Sequence, residues 1–150
     1  IGNMVNRVDH AQSGALIAFQ LLTGLGMPPQ EIATIVTAIG HHDEATAAPV
    51  NPVAAALILA DKCDVRRSRV RNRNIASFDI HDRVNYAVEK SSLILNRSAR
   101  TISLILSIDT SICAVMDYFE IFLTRMMLSK RAAEYLDLSF KLEINGTQFL

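Results

Sequence analysis

The chain has 150 residues, half of them hydrophobic, and its 15 basic residues balance its 15 acidic ones. This length supports a buried core without disulfide bonds. The apolar content and the balanced charge exclude a disordered polar tail and a protein that attracts nucleic acid through its overall charge.

Cysteine usage and the uncharged segments bear on the location of the protein. Cys63 and Cys113 lie far apart in apolar segments without CxxC spacing, which predicts reduced, buried thiols and a cytoplasmic protein. Residues 10–30 carry no Asp, Glu, Lys or Arg but contain glycines and two prolines, so no membrane span is predicted. The sequon that begins at Asn145 is more typical of a turn than of a glycan site. Because Ile1 stands where Met is usual, we expect the chain to be part of a longer protein.

Three helices are predicted in the first part of the chain. Residues 10–22 and 29–40 repeat apolar side chains at helical spacing, and glycines and prolines separate the two segments. After a loop with two prolines, residues 53–67 predict a third helix that is apolar on nearly all sides in its first half. Asp61 interrupts that apolar run.

Beyond Arg73 the apolar period changes to that of strands. Alternating patterns predict strands at residues 84–88, 101–108 and 139–145, with a helix at 111–136 before the last strand. The predicted fold class is α+β, with a helical region at residues 1–75 and a small antiparallel ββαβ unit at residues 76–150. The first strand is expected to lie between the other two. This second region carries no cluster of titratable groups, so packing, oligomer contact and substrate shaping all stay open for it.

Four side chains could carry chemistry, and all lie in the helical region: His10, His41, His42 and Asp61. Each alone has an ordinary explanation, such as a histidine at a helix end or an aspartate bonded to nearby backbone. Together they suggest a metal-binding site, because a carboxylate on the almost wholly apolar third helix must be paired or bind a metal ion. Imidazole and carboxylate ligands suit Mn, Fe or Zn and, with more oxygens, Mg.

Four segments carry a resemblance to a known family: "IGN", "HAQSGALIAFQLL", "EIATIVTAIGHHDE" and "LILADKCDVRRSR". Over residues 1 to about 70 the chain resembles the HD-domain superfamily of metal-dependent phosphohydrolases. The resemblance implies an HD-type helical domain in which His10, His41, His42 and Asp61 bind one or more divalent metal ions, with Mn, Fe, Mg and Zn not distinguished. The family's first His and its His-Asp doublet would precede Ile1, so the metal site is incomplete in the chain as given.

The basic stretch after Asp61 is the candidate for substrate binding. If the third helix continues, Lys62, Arg66, Arg69 and Arg73 form one stripe beside the metal face. Lys62 and Arg66 are expected to bind substrate phosphate, since a guanidinium grips phosphate oxygens bidentately. The other arginines are expected to be a solvated helix end.

The dipeptide His-Asp, which forms the family's doublet, occurs at two places in this chain. His81-Asp82 follows Asp61, in the wrong order for the family, and is interpreted as a solvated turn before the first strand. His42-Asp43 is the second pair, and together with His10 and Asp61 it would give the order of a one-metal site without missing residues. That arrangement stays open as an alternative.

The implied function is hydrolysis of a phosphate ester or anhydride, of a nucleotide in particular, by metal-activated water. Asp61 would bind the metal, His10 and His41 would complete a second metal site, His42 would ligate or orient the leaving group, and Lys62 would assist catalysis. The alternative is a catalytically inactive HD-like domain that binds a nucleotide or a protein. The expected partner is a small phosphorylated substrate, with a homo-oligomer also open. Nucleic-acid binding ranks last because no stacking aromatics interleave the arginines.

Overall fold

The computed structural model describes all residues from 1 to 150 and divides into two compact units, Ile1–Asp61 and Lys62–Leu150. Five α-helices and one four-stranded mixed sheet make the protein α+β, as predicted. The boundary between the units lies near the end of the third helix, whereas the boundary predicted from the sequence lies after residue 75. None of the helices combines the length and the apolar composition that a bilayer span requires.

The N-terminal unit contains α1 (His10–Gly24), α2 (Pro29–Gly40) and all of α3 (Pro52–Lys62) except its last residue, and these are the three predicted helices. A short 3₁₀ turn, Gly2–Met4, precedes them. Pro29 occupies the first position of α2, where the amide hydrogen that proline lacks would have no helical partner. Asn51 caps α3, because its Oδ1 accepts a hydrogen bond from the Ala54 amide at 2.7 Å.

Small side chains form the contact between α1 and α2. Ala11, Gly14 and Ala15 are buried along one side of α1, whereas Leu16 and Phe19 are 71% and 53% exposed. A methyl group on Gly14 would already touch Ile39 Cγ2 at 3.4 Å, so the two helices approach closely at this point. Apolar spacing therefore locates α1 correctly but does not identify its buried face.

Helix α3 ends at Lys62, five residues before the predicted end at residue 67, so the condition for a basic stripe is not met. Arg66 is fully extended, with φ −167° and ψ 155°, and Arg67–Arg69 forms a 3₁₀ turn. In this local structure the Asp64 carboxylate binds Arg66 Nε at 2.8 Å and Arg69 Nη1 at 2.9 Å. The predicted stripe of basic side chains on one helix face is therefore absent.

The C-terminal unit contains α4 (Ile80–Ala87), β1 (Val88–Asn96), β2 (Thr101–Ile108), α5 (Val115–Tyr135), β3 (Ser139–Ile144) and β4 (Thr147–Gln148). Residues 84–87 are helical, so the first strand was predicted too early. Asp79 starts α4 by accepting a hydrogen bond from the Asp82 amide at 2.7 Å. The interpretation of His81-Asp82 as a turn is wrong for the same reason, since both residues lie in this helix.

The sheet order is β1-β2-β3-β4, which corrects the predicted topology. β1 pairs with β2 antiparallel, but β2 pairs with β3 in parallel, with Leu104 opposite Leu142. The cause is the α5 crossover, which returns the chain to the end of the sheet where β2 began. The second strand, not the first, lies between the other two predicted strands.

Alternate residues of β2 and β3 form the core of this unit. The predicted inward positions Ile102, Leu104, Leu106 and Ile108 of β2 and Phe140, Leu142 and Ile144 of β3 are buried. α5 contacts β3 and buries Tyr118, Phe122 and Met126. The Tyr118 hydroxyl donates to Met126 Sδ at 3.4 Å, and burial raises the pKa of this hydroxyl.

Asn145 closes the end of the sheet. It adopts a left-handed conformation (φ 50°) and, with Gly146 (φ 80°), forms the predicted turn between β3 and β4. Its side-chain amide bonds both backbone groups of Ile108: Oδ1 accepts from the amide at 2.8 Å and Nδ2 donates to the carbonyl at 2.9 Å. The Asn145 side chain therefore makes the pair of hydrogen bonds to the Ile108 backbone that a neighbouring strand would otherwise make.

Replacing Asn145 with Ala is expected to destabilise the fold by about 3 kcal/mol. Two hydrogen bonds contribute about 1 kcal/mol each and the left-handed conformation costs alanine about 1 kcal/mol more. Urea denaturation measures the change. Asn145→Gly is the matched control, since glycine tolerates the conformation and should lose only the hydrogen bonds. Equal losses in both variants would contradict the conformational part of this account.

Cys63 and Cys113 are free and buried, as predicted from their spacing. Burial raises the pKa of the Cys63 thiol to about 11 from an ordinary value of 9.0, and the hydrogen bond to Ser129 Oγ at 3.8 Å offsets only part of that rise. The Cys63 thiolate is therefore scarce near neutral pH, which makes this side chain a poor nucleophile in the folded protein.

Stability is expected to fall as pH rises between about 9 and 11, because the folded chain keeps the Cys63 proton that the unfolded chain has released. The contribution is on the order of 2 kcal/mol. The free energy of unfolding is measured across this pH range for Cys113→Ala and for the double variant Cys113→Ala/Cys63→Ala. Because the two variants differ only at Cys63, the difference between their pH profiles gives the contribution of this thiol. Parallel pH profiles for the two variants would rule out the assigned cause.

Candidate metal-binding site

Two of the predicted ligands, His10 and His42, converge in the N-terminal unit. His10 is the first residue of α1, and His42 lies in the turn that follows α2. Their Nε2 atoms are 3.2 Å apart, and their rings are nearly perpendicular, at 76° with centroids 5.1 Å apart. The contact between α1 and α2 therefore brings together residues that are distant in sequence.

Backbone carbonyls fix the tautomer of both rings. His10 Nδ1 lies 3.0 Å from the Arg7 carbonyl oxygen, and His42 Nδ1 lies 2.6 Å from that of Ile39. A carbonyl oxygen only accepts, so each Nδ1 must carry a hydrogen and donate it. In neutral rings both Nε2 atoms then present lone pairs to each other. This arrangement favours a cation, either a proton or a metal ion, between them.

The separation of these nitrogens suits a shared metal ion. Imidazole nitrogens at about 2.0–2.1 Å from one Zn²⁺ lie about 3.3–3.4 Å apart at a tetrahedral angle and about 2.8–3.0 Å apart at a right angle. The observed 3.2 Å falls between these values. Hydrogen bonds from Nδ1 to carbonyls are also the usual outer support of metal-binding histidines.

Asp43 is the third polar side chain here. Its Oδ1 lies 3.9 Å from His10 Nε2, about 0.5 Å farther than two ligands of one tetrahedral ion. No three His, Cys, Asp or Glu side chains of the chain form a group that could hold a metal ion as they stand. The imidazole pair therefore fits a metal ion, whereas a third ligand requires a small movement of Asp43 or another donor. Asp43 was absent from the main predicted ligand set and entered only in the one-metal alternative, through the pair His42-Asp43.

The backbone around His10 is tightly constrained. Asp9, just before α1, has a left-handed conformation (φ 56°, ψ 27°) that aspartate tolerates better than most residues. Gly2 lies against the start of α1, where a methyl group would collide with the His10 carbonyl oxygen and lie 2.8 Å from the Gly14 amide nitrogen. The "IGN" segment thus packs against the backbone at the start of α1, beside His10.

The other predicted site residues are placed as follows. His41 caps α2, and its Nδ1 bonds the Thr37 carbonyl at 2.8 Å, which also accepts the His41 backbone amide. Asp61 is half-buried in the last turn of α3, and Lys62, the last residue of that helix, is buried. Arg66 is exposed and paired with Asp64. The predicted roles of these four residues stay predictions.

Comparison of the chain with protein-family models, with curated proteins and with solved structures finds no match. The family resemblance of residues 1 to about 70 therefore stays a hypothesis. The facing imidazoles of His10 and His42, the carbonyls behind them and the nearby Asp43 carboxylate are the independent ground for a functional proposal.

Proposed function

We propose that the protein is a metal-dependent phosphohydrolase that cleaves a phosphate ester or anhydride, with nucleotides as the substrate class. One observation carries the proposal: the Nε2 atoms of His10 and His42 face each other at 3.2 Å while both Nδ1 atoms are committed to carbonyls. Two lone pairs held this close favour a bound cation, and the spacing agrees with ligation of a single metal ion.

The donor set suggests which metal ions to test first. Two imidazoles favour Zn²⁺, Fe²⁺ or Mn²⁺ over Mg²⁺, which prefers oxygen ligands. In this proposal His10 and His42 hold the metal ion and Asp43 supplies the next ligand after a shift of about 0.5 Å. This is close to the one-metal alternative, in which the ligands follow the order His10, His42-Asp43 and Asp61.

The metal ion, when bound, would lower the pKa of a water molecule towards neutrality and offset the charge that develops on phosphate oxygens. His10 and His42 would be oriented through their bonds to the Arg7 and Ile39 carbonyls. Asp61 remains the candidate for a further carboxylate ligand or a base. Lys62 and Arg66 remain candidates for phosphate contacts, and Arg66 would have to leave Asp64 to make one.

The alternative is a catalytically inactive HD-like domain that binds a nucleotide or a protein. The observation that favours it is the lack of a ready group of three ligands in the chain. In that case a proton shared by the two Nε2 atoms would replace the metal ion, and the histidine pair would only join the start of α1 to the turn after α2.

The deciding experiment uses the full 150-residue chain, stripped with a chelator and reloaded with Zn²⁺, Mn²⁺, Fe²⁺ or Mg²⁺. Bound metal is measured by elemental analysis, and hydrolysis is followed with bis(p-nitrophenyl) phosphate and a panel of nucleotides. We expect bound transition metal and metal-dependent turnover, both lost in His10→Ala and kept in His81→Ala, which removes an exposed histidine of α4. The absence of bound metal would reject both the site and the enzyme and favour the inactive domain, and bound metal without turnover of any substrate would reject the enzyme alone.

A further inference from the structure

The outer side of α5 carries a regular stripe of exposed side chains. The inner side of this helix buries Tyr118, Phe122 and Met126. On the opposite side, exposed residues follow one another alternately four and three positions apart, and we call them the outer stripe: Met116, Glu120, Leu123, Met127, Lys130 and Glu134. At 3.6 residues per turn they lie within about 40° of one line along the helix. This is the spacing of the heptad positions a and d, through which one helix of a coiled coil contacts another.

The outer stripe has an apolar centre between two opposite charges. Leu123 and Met127 are 55% and 51% exposed and lie one helical turn apart. Glu120 precedes Leu123 by three residues, and Lys130 follows Met127 by three. Opposite charges therefore lie equally far from the midpoint of the apolar pair, which is the arrangement that a two-fold axis at this midpoint would make complementary.

We propose that α5 pairs antiparallel with α5 of a second copy of this chain, across a two-fold axis midway between Leu123 and Met127. Leu123 of each copy then faces Met127 of the other, and Glu120 of each copy faces Lys130 of the other. Every contact occurs twice, as in any two-fold interface. Because the helices run in opposite directions, each layer sets an a position against a d position. This interface is independent of the proposed metal site, which lies in the other unit.

The charges of the outer stripe select this orientation and register. In a parallel pair Glu120 would face Glu120 and Lys130 would face Lys130, and like charges placed together across an interface are costly. An antiparallel pair moved by one heptad would set Glu120 against Leu123, or Lys130 against Met127, and so desolvate a charge without an opposite partner. The axis between Leu123 and Met127 avoids both costs.

Lys130 can reach a second copy. Its Nζ lies 3.9 Å from Glu134 Oε1 of the same helix, and the two side chains are 48% and 57% exposed. An exposed pair of this kind contributes little, and an ammonium group has three donors, so Lys130 can contact Glu120 of the second copy as well.

The chemistry of the outer stripe fits a protein helix better than a lipid surface. Its charged members are two glutamates and one lysine, whereas binding to anionic membranes depends on clustered basic residues. The stripe is about 27 Å long at 1.5 Å per residue. One helix from each copy makes a small interface, so a dissociation constant in the micromolar range is expected.

Sedimentation equilibrium of the full chain over the micromolar range tests the dimer. We expect a monomer–dimer equilibrium that Leu123→Lys weakens at least about tenfold, because it sets a charge against Met127 without an opposite partner. Phe19→Lys is the matched control, since Phe19 is 53% exposed on helix α1. A monomer at every concentration, or equal weakening by both variants, would overturn the proposal.

Reversing the charges tests the register. Glu120→Lys alone should weaken the dimer, because it sets lysines against each other and leaves the contact between Lys130 and Glu134 intact. Adding Lys130→Glu should restore the dimer by recreating opposite charges in the reverse order. A Glu120→Lys dimer of native affinity, or a double variant no tighter than the single one, would reject this register.

Disulfide formation tests the orientation. When Leu123→Cys and Met127→Cys proteins are mixed and mildly oxidised, the two variants should link to each other, because their new thiols face across the interface and the native cysteines are buried. Each variant alone should link much more slowly. If Leu123→Cys links to itself as fast as to Met127→Cys, the antiparallel pair is wrong.

Discussion

Replacing His42 with Ala is expected to lower the affinity of the chain for Zn²⁺ by about 100-fold or more. Outer-shell partners of metal ligands alone account for 10–100-fold in affinity, and this change removes one of the two nitrogens that face each other at 3.2 Å. In metal-free protein the same change should cost little, because it also removes the opposed lone pair. Competition with a coloured chelator measures the affinity directly.

The thermal shift caused by the metal ion gives a second measurement. At a Zn²⁺ concentration about 100 times the dissociation constant, binding stabilises the folded chain by about 2.7 kcal/mol, and a 100-fold weaker site leaves about 0.4 kcal/mol of that. His81→Ala should keep the full shift, since His81 is an exposed residue of α4. An unchanged shift in His42→Ala would show that the metal ion binds elsewhere.

Replacing Gly2 with Ala is expected to destabilise the N-terminal unit by about 3 kcal/mol, the upper end of the usual cost of overpacking. The reason is steric: the added methyl group would collide with the His10 carbonyl oxygen, which belongs to the backbone of α1 and cannot rotate away. Relief of this collision moves the start of α1, and His10 moves with it. The affinity for Zn²⁺ should fall as well, which chemical denaturation and chelator competition would measure together.

Gly24→Ala is the matched control for this change. Gly24 ends α1, and a methyl group there would meet no atom within 4 Å. Because alanine has the higher helix propensity, this variant should be up to about 1 kcal/mol more stable than the native chain and bind metal equally well. A Gly2→Ala protein with native stability and affinity would show that the 3₁₀ turn is not needed to place His10.

Most helices and strands could be predicted from the sequence because their apolar periods are clear. The prediction failed where the apolar spacing fits both a strand and a helix. Val84 and Tyr86 alternate with polar residues as in a strand, but the cap at Asp79 starts a helix that includes both. The parallel pairing of β2 with β3 depends on the crossover of α5, which no local pattern records. The buried side of α1 was missed because close helix contact there selects alanine and glycine, which carry little apolar signal.

The candidate site was predicted only in part. The sequence nominated His10 and His42, but their contact depends on how α1 and α2 pack and on ring orientations that the Arg7 and Ile39 carbonyls set. Neither packing geometry nor ring orientation has a counterpart in residue spacing. The same applies to Asp43, whose approach to His10 depends on the turn after α2.

The parallel pairing of β2 with β3 has a consequence for synthesis on the ribosome. β2 can pair with β1 as soon as both have emerged, but its other edge stays open until α5 and then β3 have been made. During that interval the apolar side of the nascent hairpin lacks its cover, and such intermediates are prone to aggregate. Chaperone demand should therefore peak while α5 is being translated and decline once residues 139–144 have left the exit tunnel.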